Sequence, residues 1–162
     1  MKTLVVYYSL DGSTRVIAQS IAEETGADIL ELRYVNPIRV QGFLKYLWAG
    51  KQVALKQKPK LLPFDKNPED YNILFLGTPV WAANYAPAFN TFCSSVDLKG
   101  RKIALFCCSG GIRGKTFENM EKALAGSEVI GKREFVSSSS SAGEANAQSA
   151  REWARELKEM MG

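Results

Sequence analysis

Val5-Val6-Tyr7-Tyr8-Ser9-Leu10-Asp11-Gly12-Ser13-Thr14-Arg15 holds the three local signals around which the rest of the chain can be read. Leu4 to Tyr8 is a short apolar run rich in β-branched and aromatic residues, which predicts a buried strand. A turn bearing hydroxyls and one glycine follows. Val16, Ile17, Ser20 and Ile21 then recur at helical spacing. A strand, a tight turn and a helix N-terminus in succession make a ready anion site. The first helical N–H groups lack partners, and the helix dipole favours negative charge there. Ser9, Ser13 and Thr14 add hydroxyl donors, and Gly12 lets a ligand approach the backbone without a Cβ in the way.

Two readings of the turn stay open at this level. Ser13 or Thr14 can simply cap the helix, or the turn can hold a phosphate by hydroxyls and backbone alone. The spacing and lysine of the nucleotide-binding GxxxxGK[ST] loop are missing, and a single glycine does not make the dinucleotide fingerprint.

Working outward, the first helix runs from Ser13 to about Thr25, with Gly26 as its stop. Ile29–Leu32 predicts a second, shorter strand, and Asn36-Pro37 a turn. Tyr71–Leu76 predicts a third strand. It leads into a loop, Gly77-Thr78-Pro79-Val80-Trp81-Ala82-Ala83-Asn84-Tyr85-Ala86-Pro87, and a helix over about 87–95. Lys102–Cys108 predicts a fourth strand, ending in Ser109-Gly110-Gly111-Ile112-Arg113-Gly114, with a helix over Lys115–Ala125 that Gly126 stops. A fifth strand falls within Ser127–Val136, and a closing helix over Glu144–Met161 turns Ala147, Ala150, Trp153, Ala154 and Leu157 inward. The Ser137–Ser141 run reads as an exposed loop without an assigned role.

Apolar strands alternating with helices predict a parallel sheet covered on both faces, with right-handed crossovers. Ligands of such sheets sit beyond the carboxyl ends of the strands. The unusual loops follow strands one, three and four, so all three fall on one edge of the sheet.

The whole chain, residues 1–162, is expected to form one domain with a basic insert at about 33–64. That insert carries seven basic residues (Arg33, Arg39, Lys45, Lys51, Lys56, Lys58 and Lys60) and no acid. Of 21 basic residues, 14 remain elsewhere against all 17 acids, so the rest of the chain is mildly acidic. A general nucleic-acid binder is not expected, because its basic surface would be spread over the fold. Within the insert, Phe43, Leu44, Leu47, Trp48 and Leu55 suggest an amphipathic helix interrupted by Gly50, with Lys51 on its apolar face. It is read as a helix covering one side of the sheet, or as a basic, aromatic-bearing lid.

No apolar run is long enough to span a membrane, and no signal peptide or membrane partner is expected. Cys93, Cys107 and Cys108 lack metal-ligand spacing and the chain has no histidine. Metal sites and histidine acid–base chemistry are therefore not expected, and a reducing cytoplasmic location fits the thiols. Cys107 and Cys108 read as small hydrophobes in the strand, or less simply as a vicinal redox pair.

Taken together, these features resemble the flavodoxin-like family: an α/β fold with a doubly wound five-stranded parallel sheet, order 2-1-3-4-5, and helices on both faces. The family's FMN-phosphate loop, [ST]-x-[ST]-G-x-[ST], corresponds to Ser9-Leu10-Asp11-Gly12-Ser13-Thr14. Asp11 departs from the usual hydroxyl, and its carboxylate is expected to point away from a phosphate. Thr78, Pro79, Val80, Trp81 and Ala82 resemble the loop that wraps the isoalloxazine edge, with Trp81 as the aromatic face, although a core role for Trp81 is the alternative. Ser109, Gly110 and Gly111 resemble the loop lining the pyrimidine end.

The resemblance implies FMN as cofactor. It implies no catalytic side chain, since the flavin carries the chemistry. It also implies a partner that is either a redox protein or NAD(P)H with a small acceptor. The first reading is a flavodoxin-type electron carrier. The second is an FMN-dependent NAD(P)H oxidoreductase of the quinone-reducing type. A flavin-free interaction module on the same scaffold is the third. Carriers of this family commonly have glycine after the loop aromatic, where a peptide flips against the reduced ring. Ala82 stands there and is expected to resist a positive φ. The loop after strand four has no second aromatic, which leaves Tyr46 and Trp48 of the insert as candidates to cover the ring.

Overall fold

The computed structural model describes residues 1–39, 41–137 and 142–162. The elements follow in the order β1 (Thr3–Tyr7), α1 (Ser13–Thr25), β2 (Asp28–Glu31), α2 (Phe43–Ala54), β3 (Ile73–Trp81), β4 (Asn84–Tyr85), α3 (Ala88–Ser95), β5 (Lys102–Ser109), α4 (Thr116–Ala123), β6 (Glu128–Val136) and α5 (Ala142–Met161).

The sheet order is β2-β1-β3-β5-β6, with every one of these neighbours parallel. Counting the parallel strands alone, this is the expected 2-1-3-4-5 order. Successive strand residues point to opposite faces, and the core divides accordingly. Leu4 and Val6 join Phe89, Phe92, Phe117 and Met120 of α3 and α4. Val5 and Tyr7 join Ile17, Ile21, Trp153 and Leu157 of α1 and α5. The five α5 residues expected inward are all buried. The strands read as continuous apolar runs because both faces are covered.

Gly77 shows why β3 tolerates a glycine in mid-strand. A Cβ there would fall 2.1 Å from Phe106 Cζ, so the ring of the neighbouring strand occupies the space a side chain would take.

Two expectations are corrected. The stretch after Gly77 is not an open loop: β3 continues to Trp81 and pairs antiparallel with β4, Val80 opposite Tyr85 and Trp81 opposite Asn84. The two-residue turn between them puts Ala82 at φ 47° and Ala83 at φ 59°. Two consecutive positive φ values match the right-handed twist of a hairpin, the pattern of a type I′ turn. Ala82 therefore occupies the positive-φ region it was expected to resist, because pairing on both sides and the Lys115 N–H, which donates to the Ala83 carbonyl (3.1 Å), hold the turn.

The second correction concerns the insert. Its ends zip together, with Tyr34 bridged to Leu61 and reciprocal bonds from the Val35 N–H to Lys60 and the Leu62 N–H to Arg33. Between them α2 buries only Ala49, with Trp48 and Val53 partly packed against the core. Phe43, Leu44, Leu47 and Leu55 are exposed, so the apolar face does not cover the sheet but faces outward.

Candidate functional site

A cleft of about 210 Å³ lies at the carboxyl ends of the central strands. Leu10, Asp11, Ser13 and Thr14 line it from the turn after β1; Pro79, Val80 and Trp81 from the end of β3; Cys108, Ser109 and Gly110 from the end of β5. Lys45 and Tyr46 of α2 and Ser137 after β6 complete the wall. The three loops singled out in the sequence thus meet at one place. The topology does this: parallel neighbours deliver their carboxyl ends to the same edge.

The first turn is built around Gly12, which stands in the left-handed region at φ 101° and forms the N-cap of α1. Ser13 and Thr14 are helical residues, so neither is the cap itself. Ser9 Oγ accepts from the Gly12 N–H (3.1 Å). Asp11 Oδ1 accepts from the Ser13 N–H (3.0 Å). One of the N–H groups at the mouth of α1 is therefore taken by a carboxylate, while those of Thr14 and Arg15 lie within the first turn, where an α-helix supplies no acceptor. Asp11 is exposed, yet it lines the cleft.

At the end of β3, Thr78 is part of the frame. It is buried, and its hydroxyl accepts from the Ala86 N–H (2.9 Å), tying the hairpin's return to the sheet. Trp81 is only 7 % exposed, its ring edge-on to Tyr8 at 5.5 Å, so it offers the cleft a small part of its surface. Ala82 lies beyond the cleft wall, at the hairpin tip.

After β5, Ser109 Oγ donates to Glu134 Oε1 (2.6 Å) and accepts from the Gly111 N–H (3.1 Å). Glu134 also pairs with Arg113 (3.6 Å), so one carboxylate pins both ends of this loop. A Cβ built on Gly12, Gly110 or Gly111 would meet nothing within 4 Å. The backbone at all three is open to an incoming group.

Cys107 and Cys108 belong to opposite cores, as consecutive strand residues must, and both are free thiols. This strand geometry does not bring them together as a redox pair. Burial pushes the Cys108 thiol up to about 12, partly countered by Thr14, and raises Cys107 as well. Neither is a ready nucleophile. Among the described residues no cluster of metal-ligating side chains occurs.

The sequence reading did not place Lys45 or Ser137 at the site, and it named Tyr46 only together with Trp48. The structure separates those two: Tyr46 borders this cleft, whereas Trp48 lies with Val35–Arg39 on another surface. No local signal distinguishes them, because the approach of α2 depends on where the insert folds back. Ser138–Ser141 lie outside the described residues.

A second, more open cleft of about 470 Å³ adjoins the first through Leu10. Tyr8, Ser9, Arg15, Glu31, Arg33 and Tyr34 are among its walls. Glu31 receives Arg15 on one oxygen and Arg33 on the other (2.5 and 2.6 Å). Burial works against its charge, but the two guanidinium hydrogen bonds outweigh this and hold its pKa below the ordinary value. One carboxylate against two guanidinium groups leaves the wall net positive.

Comparisons with known proteins agree with this architecture. No curated protein matches the sequence. The structure of a flavoprotein from Lactobacillus acidophilus in complex with FMN aligns with a TM-score of 0.71 at 24 % identity, over 82 % of this chain and 92 % of that one. A candidate flavoprotein from Bacteroides uniformis aligns at 0.80 with 20 % identity, over 95 % and 97 %. Oxidised flavodoxin 2 from Bacillus cereus aligns at 0.58 with 17 % identity, over 99 % of each. A family model described as flavodoxin matches residues 2–148, nearly the whole length, and the chain belongs to the flavodoxin family.

Proposed function

We propose that the protein binds FMN in the cleft and acts as a redox protein, transferring electrons through it. The observation that carries this reading is the convergence of the three loops, after β1, β3 and β5, on one cleft. The residues fit the group. The flavin phosphate would sit at the mouth of α1, met by the N–H groups of Thr14 and Arg15 and the hydroxyls of Ser13 and Thr14, with Ser9, Leu10 and Gly12 shaping the turn. The ring would lie along Pro79, Val80 and Trp81, framed by Thr78 and Ala82, with Tyr46 opposite. Ser109, Gly110 and Gly111 would meet its polar end. The open space at the three glycines supports this. Asp11 is the one unfavourable element.

When bound, FMN supplies the electron chemistry, and the protein's part is to hold, orient and screen it. No side chain is assigned a proton transfer. The three free cysteines fit a reducing cytoplasmic location.

The adjoining cleft favours a second reading, an FMN-dependent NAD(P)H oxidoreductase with a small quinone-type acceptor. Arg15 and Arg33 there suit a nucleotide's phosphates. A spectrum of the protein after FMN addition and desalting, followed anaerobically by NADPH and NADH, separates the readings. A retained flavin band that only dithionite or a partner reductase bleaches supports a carrier. Bleaching by either nucleotide within seconds supports the reductase. A band lost on desalting, with no saturation on titration, would refute FMN binding and leave the flavin-free module.

A further inference from the structure

The outward face of α2 is a feature of the surface that the cleft does not explain. Phe43, Leu44, Tyr46, Leu47 and Leu55 are each more than half exposed on or at the end of one short helix. Ile112, on the loop after β5 that also borders the cleft, is 80 % exposed. Helical spacing puts Phe43, Leu44, Leu47, Lys51 and Leu55 on one side of α2. The four large apolar side chains on that side, Phe43, Leu44, Leu47 and Leu55, present roughly 100 Å² each, on the order of 400 Å² in all. A patch of that size on a lone protein is often functional, and it is about half of the roughly 800 Å² each partner contributes to a standard interface, the remainder coming from the polar rim.

Charge narrows the occupant. The insert holds seven basic residues and no acid, whereas the remainder of the chain has 14 basic against 17 acidic. The chain is therefore complementary to itself: the insert of one copy matches the rest of another. An isologous two-fold contact uses this complementarity twice. Direct stacking of α2 on α2 does not, because it would bury the Lys51 ammonium in an apolar seam and set one basic insert against the other.

We propose that this face is a homodimer interface, in which α2 of each copy packs on the non-insert surface of the other. Because Lys45 and Tyr46 of α2 also line the cleft, the second copy would screen the cleft mouth from water. The inference rests on the surface alone and not on what the cleft binds.

Sedimentation equilibrium of the full chain at about 1 to 100 μM tests it. The expected result is a dimer, with Leu44→Glu/Leu47→Glu raising the dimer dissociation constant at least about a hundredfold while far-ultraviolet circular dichroism stays unchanged. If that variant fails to fold, Leu47→Gln/Leu55→Gln should weaken the dimer at least about tenfold. A monomer throughout the range overturns the proposal, as does a dimer insensitive to both variants. A monomer that co-sediments with phosphatidylglycerol vesicles also overturns it, assigning the face to a lipid surface.

Discussion

Replacing Ala82 by glycine should make the protein more stable. Ala82 and Ala83 form the turn between Trp81 and Asn84 with φ values of 47° and 59°. A left-handed conformation costs an L-residue with a Cβ about 1–2 kcal/mol. Glycine removes that cost but gives the unfolded chain more freedom, which returns about 0.5–1 kcal/mol. Ala82 is exposed, so little packing is lost with its methyl group. The balance is a gain of about 0.5–1 kcal/mol, or about 1–4 °C in Tm for a chain of this length. Urea denaturation without added cofactor measures it directly, read through the midpoint at constant slope. A loss of about 0.5 kcal/mol or more would refute the argument, since it would mean that Ala82 is not held in a strained conformation. The result also bears on the site: if relaxing the turn changes flavin affinity, the hairpin tip is part of the ring's surroundings.

Three further substitutions probe other steps of the argument. Gly77→Ala drives a methyl into the Phe106 ring at 2.1 Å and should destabilise by about 1–3 kcal/mol or more; Phe106→Leu in the same chain should recover part of this in urea denaturation, and a neutral Gly77→Ala would contradict the close packing of β3 on β5. Asp11→Asn keeps the cap on the Ser13 N–H but removes a charge beside the proposed phosphate, so FMN affinity by fluorescence titration should rise about five- to tenfold; an unchanged affinity would place the phosphate elsewhere. Glu31 has a depressed folded-state pKa, so its contribution is fully present above its unfolded pKa and is lost as pH falls through the folded value. Glu31→Gln should therefore lower Tm at pH 7 and flatten its fall in acid, and a parallel shift at every pH would show that the ion pairs with Arg15 and Arg33 carry no such linkage.

Much of the fold is legible residue by residue. Val5 and Tyr7 alternate with Leu4 and Val6 between two cores, and Ala147, Ala150, Trp153, Ala154 and Leu157 mark the inner stripe of α5, because period-two and helical patterns record which side of each element meets the sheet. The loops of the cleft were legible for a related reason: carboxyl ends of parallel strands share an edge whatever their side chains. The reading failed at Gly77-Thr78-Pro79-Val80-Trp81, where a glycine and a proline look like the end of a strand. In the structure Gly77 admits the Phe106 ring, and β3 runs on to pair with β4. In α2 the apolar stripe admits two readings, a cover for the sheet or a lid, and the exposure of Phe43, Leu44, Leu47 and Leu55 removes the first.

The sequence by itself determined the parallel sheet, its helices and the edge on which a ligand would sit, because these follow from local periodicity and from chain connectivity. Only the tertiary structure decided that Ala82 and Ala83 take positive φ, that the Asp11 carboxylate occupies an N–H at the mouth of α1, and that Tyr46 rather than Trp48 joins the cleft. The Asp11 bond is local, two residues long, but sequence alone does not choose its rotamer; the Ala82–Ala83 turn is held by the distant Lys115 N–H, and the place of Tyr46 depends on where the insert folds back. The outward turn of Phe43, Leu44 and Leu47 also belongs to the tertiary structure: a hydrophobic stripe records that a face seeks cover, and only the packing of α2 through Ala49 shows that none of the described residues supplies it.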